Sequence, residues 1–408
     1  MKINYNTQIL ISAIFGILFG VILTYVGTDS GLYSQSIYVT GIIGNVFISL
    51  LKMILIPLVF TSITVGIANL RAHAQMGKVW KLTLIYFLST TSLSILLGLI
   101  VVNIFKPGVG LEISMFQDSM HSMDLQSLSI KEFIANFLSN LFVNPFEAMA
   151  NGMVLPTIMF AIFLGVALIV LGEKAKTTLN LLNELFEIIM LIVSWIMKLL
   201  PIGIFALLTK LVATQDFELF LALGKFIFVV CGATIFHGFV TLPVILLLFS
   251  KIHPKRFYMG MRQALITAFS TSSSSATLPI TYKCVTQELK IDKDIAGFVL
   301  PLGATINMDG TALYEAVAAI FIANLVGLDL NIVQQLIVFF MAILASIGAP
   351  GIPSAGMVTM VMVLQSVGLP AEAIAILYPI DRLLDALRTM INVEGDSVGC
   401  SVIHHFTQ

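Results

Sequence analysis

The chain has 408 residues, of which 58% are hydrophobic and 11% charged, with a net charge of -1 and a mean hydropathy of +1.01. Soluble domains carry roughly 25% charged residues, so this composition excludes an ordinary globular protein and implies one embedded in lipid. The near-neutral charge gives no argument for nucleic acid. Cys231, Cys284 and Cys400 lie far apart with no CxxC pair, which excludes a disulfide framework and a cysteine metal site.

Apolar stretches at 8–26, 37–69, 79–104, 146–172, 179–212 and 220–250 approach or exceed the roughly 20 residues that cross a bilayer core. The first follows Lys2 and precedes no small-residue cleavage site, which predicts a membrane helix rather than a signal peptide. With the N-terminus inside, thirteen Lys and Arg positions fall on the inner side: Lys2, Arg71, Lys78, Lys81, Lys174, Lys176, Lys251, Lys255, Arg256, Arg262, Lys283, Lys290 and Lys293. Only Lys106 and Lys131 fall outside, so the cation asymmetry predicts a cytoplasmic N-terminus. It also requires the segment from about 257 to 290 to enter and leave on one side. The polar stretch 114–131 is the longest expected outside loop, and Lys52, Lys198, Lys210 and Lys225 sit near span ends where they are expected to snorkel.

Up to about residue 250 the spans read as six mostly uninterrupted helices. Beyond 255 the apolar segments are broken by Ser270-Thr-Ser-Ser-Ser-Ser-Ala-Thr-Leu-Pro279, Asn307-Met-Asp-Gly310 and Gly348-Ala-Pro-Gly-Ile-Pro-Ser-Ala-Gly356. Irregular backbone at membrane depth leaves N–H and C=O groups that only protein or a polar cavity can satisfy. The pattern repeats: each hairpin-like cluster precedes a helix bearing a similar pentapeptide, Ile306-Asn-Met-Asp-Gly310 and Ile391-Asn-Val-Glu-Gly395. Interrupted segments in corresponding positions point to a midplane binding site of a transporter.

In the last helix Asp381, Asp385, Arg388, Asn392 and Asp396 fall within an arc of roughly 80° at 100° per residue. The bland reading is a structural ion-pair network. Ionisable groups inside a membrane more often mark function, and the residue types here describe an amino acid: an arginine fork for a carboxylate, Asp385 for an ammonium, and Asn392 between carboxylate and ion. The buried arginine favours acidic over neutral substrates. Carbonyls of broken helices with Asp309 and Asp396 supply the oxygen ligands of sodium. The serines at 272–275 have no histidine or lysine base nearby, which argues against a nucleophilic enzyme. A channel would need a continuous polar path, whereas this polar content forms one compact cluster. A membrane receptor without transport would call for a signalling domain. His404 and His405 read as an interfacial end cap on the cytoplasmic side.

Four motifs in order, Ser272-Ser-Ser-Ser-Ala-Thr-Leu-Pro279, Asn307-Met-Asp-Gly-Thr-Ala-Leu-Tyr-Glu-Ala-Val317, Gly351-Ile-Pro-Ser-Ala-Gly356 and Asp385-Ala-Leu-Arg-Thr-Met-Ile-Asn-Val-Glu-Gly-Asp396, give the whole chain a family likeness. It resembles the dicarboxylate/amino acid:cation symporters, which include archaeal aspartate transporters and mammalian excitatory amino acid transporters. The resemblance implies an all-α polytopic membrane protein of eight transmembrane helices plus two re-entrant hairpins, assembled as a homotrimer and working as an elevator. Residues 1–78 would hold scaffold spans 1 and 2, 79–131 transport-domain span 3 and the outside loop, and 132–215 scaffold spans 4 and 5. Residues 216–408 would hold transport-domain span 6, hairpin 1, span 7, hairpin 2 and span 8. The protein would sit in the cell membrane with both termini cytoplasmic, carrying sodium as a coupling ion and using no organic cofactor.

The same resemblance implies that Arg388, on the stripe with Asp381, holds the substrate side-chain carboxylate and Asp385 its amino group. Asn392, Thr311 and the backbone at Ser273 and Ser274 would take the main-chain carboxylate, under a gate running from Ile352 to Gly356. A first sodium site would use carbonyls of Gly303, Asn307 and Asn392 with the Asp396 carboxylate. A second would use carbonyls of Thr305, Ser346, Ile347 and Ala349. A third would use Tyr86, Ser89 and Thr90 with Asn307 and Asp309. Read on their own, Tyr86, Ser89 and Thr90 pass for ordinary packing residues. Ala349 and Pro350 depart from the Thr and Ala usual in archaeal members. Glu315 replaces an archaeal glutamine with the glutamate that mammalian members use in proton cotransport, which makes it the candidate proton carrier. Sodium-coupled carriage of neutral amino acids or C4-dicarboxylates is the alternative.

Overall fold

A computed structural model describes residues 5–69, 77–111, 142–214, 217–349, 351 and 354–407. The described residues are helical, with no strand among them. Lys2, Arg71, Lys131, Pro350, Ile352 and the 114–131 loop lie outside the described residues.

The apolar stretches become α1 (Tyr5–Val26), α2 (Gly31–Asn69), α3 (Gly77–Phe105), α4 (Pro145–Ala150), α5 (Val154–Leu171), α6 (Lys176–Lys198), α7 (Leu200–Thr214), α8 (Phe217–Phe236) and α9 (Leu242–Phe249). Six helical runs among the described residues are long and apolar enough to cross a bilayer: Thr7–Val26, Gly31–Ala68, Gly77–Phe105, Pro156–Lys198, Glu218–Phe249 and Lys293–Leu325. Their outer faces carry large exposed apolar side chains such as Phe15, Val170 and Leu248. Within the second half Asp309, Glu315, Asp381, Asp385, Arg388, Glu394 and Asp396 are buried instead. This pattern, apolar outside and polar inside, suits a lipid solvent rather than water.

The spans are less regular than the sequence suggests. The fourth is divided at Asn151, where Gly152 adopts φ 68°. The fifth bends at Leu199, because Pro201 in the first turn of α7 cannot donate an N–H. Between α8 and α9 the residues His237–Thr241 form a single π turn. Pro243 follows it, and a proline ring clashes with the carbonyl four residues back, so a widened turn relieves the contact.

The second half holds α10 (Pro254–Thr271), α11 (Ser274–Lys283), α12 (Lys293–Ile306), α13 (Asp309–Leu325), α14 (Ile332–Gly348), α15 (Ala355–Ser366) and α16 (Ile374–Thr407). Helices α10 and α11 pack on each other, as do α14 and α15, and both pairs lie against α16. The described breaks fall where the polar clusters stand, at 272–273, at 307–308, and at Ala349, Gly351 and Ser354. The two similar pentapeptides differ, however: the first is unwound at Asn307 and Met308, while Ile391–Gly395 runs on as helix.

Packing divides into two sets. Helix α1 lies along α7, and α2 lies along α5, α6 and α7. Helices α3, α8, α10, α12 and α13 gather around α16. The sets meet where α2 touches α14 and α15 and where α7 touches α16. Lys52, expected to snorkel, instead forms an ion pair across this contact with Glu372.

Candidate functional site

The site is built on α16, whose polar stripe is almost wholly buried: Asp381, Arg388, Asn392 and Asp396 are all within 3% exposure, and Asp385 is at 5%. Its first half is an arginine held by two acids. Arg388 donates from Nη2 to Asp381 Oδ1 at 2.7 Å and to Asp385 Oδ1 at 2.9 Å. Its guanidinium carbon lies 3.9 Å from the centroid of the Tyr314 ring, a cation–π contact that fixes the plane of the fork. Among the described residues, Arg388 Nε and Nη1 and Asp381 Oδ2 find no hydrogen-bond partner. Buried donors of a charged group are expensive to leave unpaired, so this edge of the fork is suited to an incoming carboxylate.

Asp385 also reaches the second hairpin, accepting the Ser354 backbone N–H at 2.9 Å on Oδ2, with Arg382 Nη1 at 3.5 Å. Ser354 has φ 58°, so the chain enters α15 through a left-handed residue whose N–H turns toward α16. Gly356 stands within 4 Å of Thr311 and Arg388 when given a Cβ, placing it directly over the fork. The two hairpin tips meet: Ser273 Oγ donates to Gly351 O at 2.7 Å and Ser275 N donates to the same oxygen at 3.2 Å. Ser273 Oγ also accepts from Ala276 N, capping α11. A side chain at Gly351 would run into Ser275 and the carbonyl of Ala304, so only glycine permits this approach.

The second half of the stripe closes the break between α12 and α13. Unwinding at Asn307 frees N–H groups at the start of α13, and Asn392 Oδ1 accepts one from Gly310 at 2.8 Å while its Nδ2 donates to Thr311 Oγ1 at 3.2 Å. Asn307 Nδ2 donates to Asp396 Oδ1 at 3.0 Å, and Gly303 packs against that carboxyl group. From α3, Thr90 Oγ1 lies 3.3 Å from both Asn307 Oδ1 and Asp309 Oδ1. Tyr86 donates to Gly395 O at 3.0 Å. These are hydroxyl, amide, carbonyl and carboxylate oxygens beside two opposed half-helix ends, a donor set suited to a hard monovalent cation. Gly303, Asn307, Asn392 and Asp396 thus lie together, as do Thr90, Asn307 and Asp309. Ser89 does not join them: it is exposed and donates to Ile85 O at 2.6 Å.

The residues assigned to a second cation site lie at the ends of α12 and α14, which pack on each other. Ile306, Ser346 and Ile347 line one apolar cavity of about 190 Å³ there. Thr305 is exposed and Ala349 buried. Glu315 is buried on α13, accepting from Thr359 Oγ1 at 2.5 Å.

Several neighbours of the site were not anticipated. Thr91 donates to Asp309 Oδ1 at 2.8 Å, Ser94 donates to Asp309 O at 2.7 Å, and His237 Nε2 lies 3.2 Å from Asp309 Oδ2. Ser94 follows Thr90 by four residues and Thr91 by three, and His237 is the histidine within the 220–250 apolar run, so each left a signal. Glu394, which the stripe excludes, is buried on another face and accepts from Tyr258 OH at 2.8 Å.

An apolar exterior enclosing broken helices, an arginine fork and clustered oxygen donors defines a helical membrane transporter. The sequence profile of the sodium:dicarboxylate symporter family matches residues 6–406, and the chain belongs to that family. It is similar to excitatory amino acid transporter 3 of Mus musculus, 35% identical over 99% of this chain and 86% of that protein. It is also 38% identical to excitatory amino acid transporter 2 of Rattus norvegicus, over 90% of this chain and 73% of that one. The family and these relatives are transporters rather than enzymes, and so is this chain.

Proposed function

We propose that this protein is a secondary active symporter that imports acidic amino acids, aspartate or glutamate, coupled to Na⁺ and with Glu315 carrying a proton. The observation that carries the reading is Arg388, buried, backed by Asp381, and with Nε and Nη1 unpaired among the described residues beneath the second hairpin tip. The relatives named as excitatory amino acid transporters support it. A C4-dicarboxylate would leave Asp385 without an ammonium to receive, and a neutral amino acid would leave the fork without its second carboxylate.

The proposed assembly is a homotrimer of chains with eight spans and two re-entrant hairpins, both termini cytoplasmic. Residues 1–78 and 132–215 form the scaffold, and 79–131 and 216–408 form the transport domain. The transport domain moves as a rigid body, carrying the site between the two sides. Substrate contacts are Arg388, held by Asp381, to the side-chain carboxylate, Asp385 to the amino group, and Asn392, Thr311 and the backbone at Ser273 and Ser274 to the main-chain carboxylate. The Ile352 to Gly356 tip is the gate. The sodium ligands are Gly303, Asn307, Asn392 and Asp396; Thr305, Ser346, Ile347 and Ala349; and Tyr86, Thr90, Asn307 and Asp309, with Ser89 left out because it turns away from them.

The test is uptake of radiolabelled aspartate and glutamate into liposomes, with sodium, proton and potassium gradients imposed separately. Accumulation under an inward sodium gradient is expected, and none would defeat the proposal.

A further inference from the structure

Helix α10, at the start of hairpin 1, carries a surface separate from the site on α16. On α10 the exposed residues Lys255, Arg256, Met259, Arg262, Ile266 and Phe269 fall within an arc of roughly 140° at 100° per residue, so they form one face. Its N-terminal part is cationic: Lys255, Arg256 and Arg262 line an open cavity of about 490 Å³ with His253 and a single acid, Glu288. Among the described residues none of these three cations takes part in an ion pair. Its C-terminal part is apolar, with Met259 at 64%, Ile266 at 65% and Phe269 at 46% exposure.

From Arg256 to Phe269 the helix rises about 20 Å, a path from headgroup depth toward the bilayer centre. Cations at one end and apolar side chains along the rest match an amphiphile with an anionic head. A free phosphate would use only the first turns.

We propose that this face of α10 binds an anionic phospholipid, its phosphate among Lys255, Arg256 and Arg262 and an acyl chain along Met259, Ile266 and Phe269. The lysine and arginine asymmetry assigns this end of the hairpin to the cytoplasmic leaflet, where anionic lipids and basic segments attract each other within a Debye length. The lipid would hold hairpin 1 from outside the substrate site. This inference stands apart from the transported substrate.

The test uses the purified full chain in neutral detergent and reads thermal unfolding, so it does not depend on transport. Phosphatidylglycerol is expected to raise the unfolding temperature more than phosphatidylcholine, in a salt-sensitive manner. The triple variant Lys255→Gln, Arg256→Gln, Arg262→Gln is expected to bind phosphatidylglycerol about tenfold or more weakly, and Ile266→Ser with Phe269→Ser to bind it more weakly as well. A control at another basic cluster, Lys174→Gln with Lys176→Gln, is expected to keep the wild-type response. Equal stabilisation by both lipids, wild-type affinity in the triple variant, or a full response to inorganic phosphate alone would each overturn the proposal.

Discussion

Arg388 has two carboxylate partners with different surroundings. Asp381 accepts from the arginine on Oδ1, whereas Asp385 also accepts the Ser354 N–H of the second hairpin. Under the proposed function, substrate discrimination would rest on the guanidinium, and gate closure on Asp385. Arg388→Cys is expected to weaken aspartate uptake by about 100-fold or more, the loss of two charge-assisted hydrogen bonds, while leaving or creating uptake of serine or alanine. Competition assays against labelled aspartate decide this, and unchanged aspartate affinity would remove the assigned role. Glu315 is the residue-scale test of proton coupling. Glu315→Gln keeps the acceptor for Thr359 Oγ1 and removes the ionisable group. Its uptake is expected to depend less on external pH than that of the wild type, and an identical pH profile would dismiss Glu315 as the carrier.

At the scale of elements, the break between α12 and α13 is held from outside by α16. Gly310 approaches so closely that a Cβ there would lie 2.7 Å from the Arg388 carbonyl oxygen. Gly310→Val is expected to part the two helices and cost roughly 1–3 kcal/mol by overpacking, read as a lower unfolding temperature in detergent. Asn392→Leu removes the acceptor of the Gly310 N–H and the donor to Thr311 together. The orphaned buried N–H costs about 1–3 kcal/mol. Because Asn392 lies between the fork and the cation oxygens, sodium-induced stabilisation is expected to weaken along with aspartate binding. A change in one without the other would separate the two halves of the stripe.

For the whole molecule, the Lys52 to Glu372 pair joins α2 to the turn before α16. Both side chains are more than a third exposed, so the pair contributes at most about 1 kcal/mol and biases a movement without blocking it. Under the proposed rigid-body movement these residues separate in every cycle. Mercury bridging of Lys52→Cys with Glu372→Cys is expected to stop uptake and a thiol reductant to restore it; continued uptake by the bridged protein would argue against the movement. The driving force is adequate. One net positive charge crossing 100 mV yields about 2.3 kcal/mol, and each tenfold of substrate gradient needs about 1.4 kcal/mol.

How much was legible follows from what each interaction needs. Composition and the run lengths of apolar residues determined a helical membrane protein, since lipid demands satisfied backbones and apolar exteriors from any chain. The period of α16 placed Asp381, Asp385, Arg388, Asn392 and Asp396 on one face because helical geometry is local. Other features depend on contacts between distant residues. Ile306–Gly310 unwinds at Asn307 and Met308 and Ile391–Gly395 does not, although their sequences are alike. The difference arises because Asn392 and Asp396 on the unbroken helix bind the Gly310 N–H and the Asn307 side chain of the broken one. In the same way Thr91, Ser94 and His237 reach Asp309 only once α3 and the π turn pack against α13. A local pattern determined where polar groups stand, and the tertiary structure decided which backbone opens to receive them.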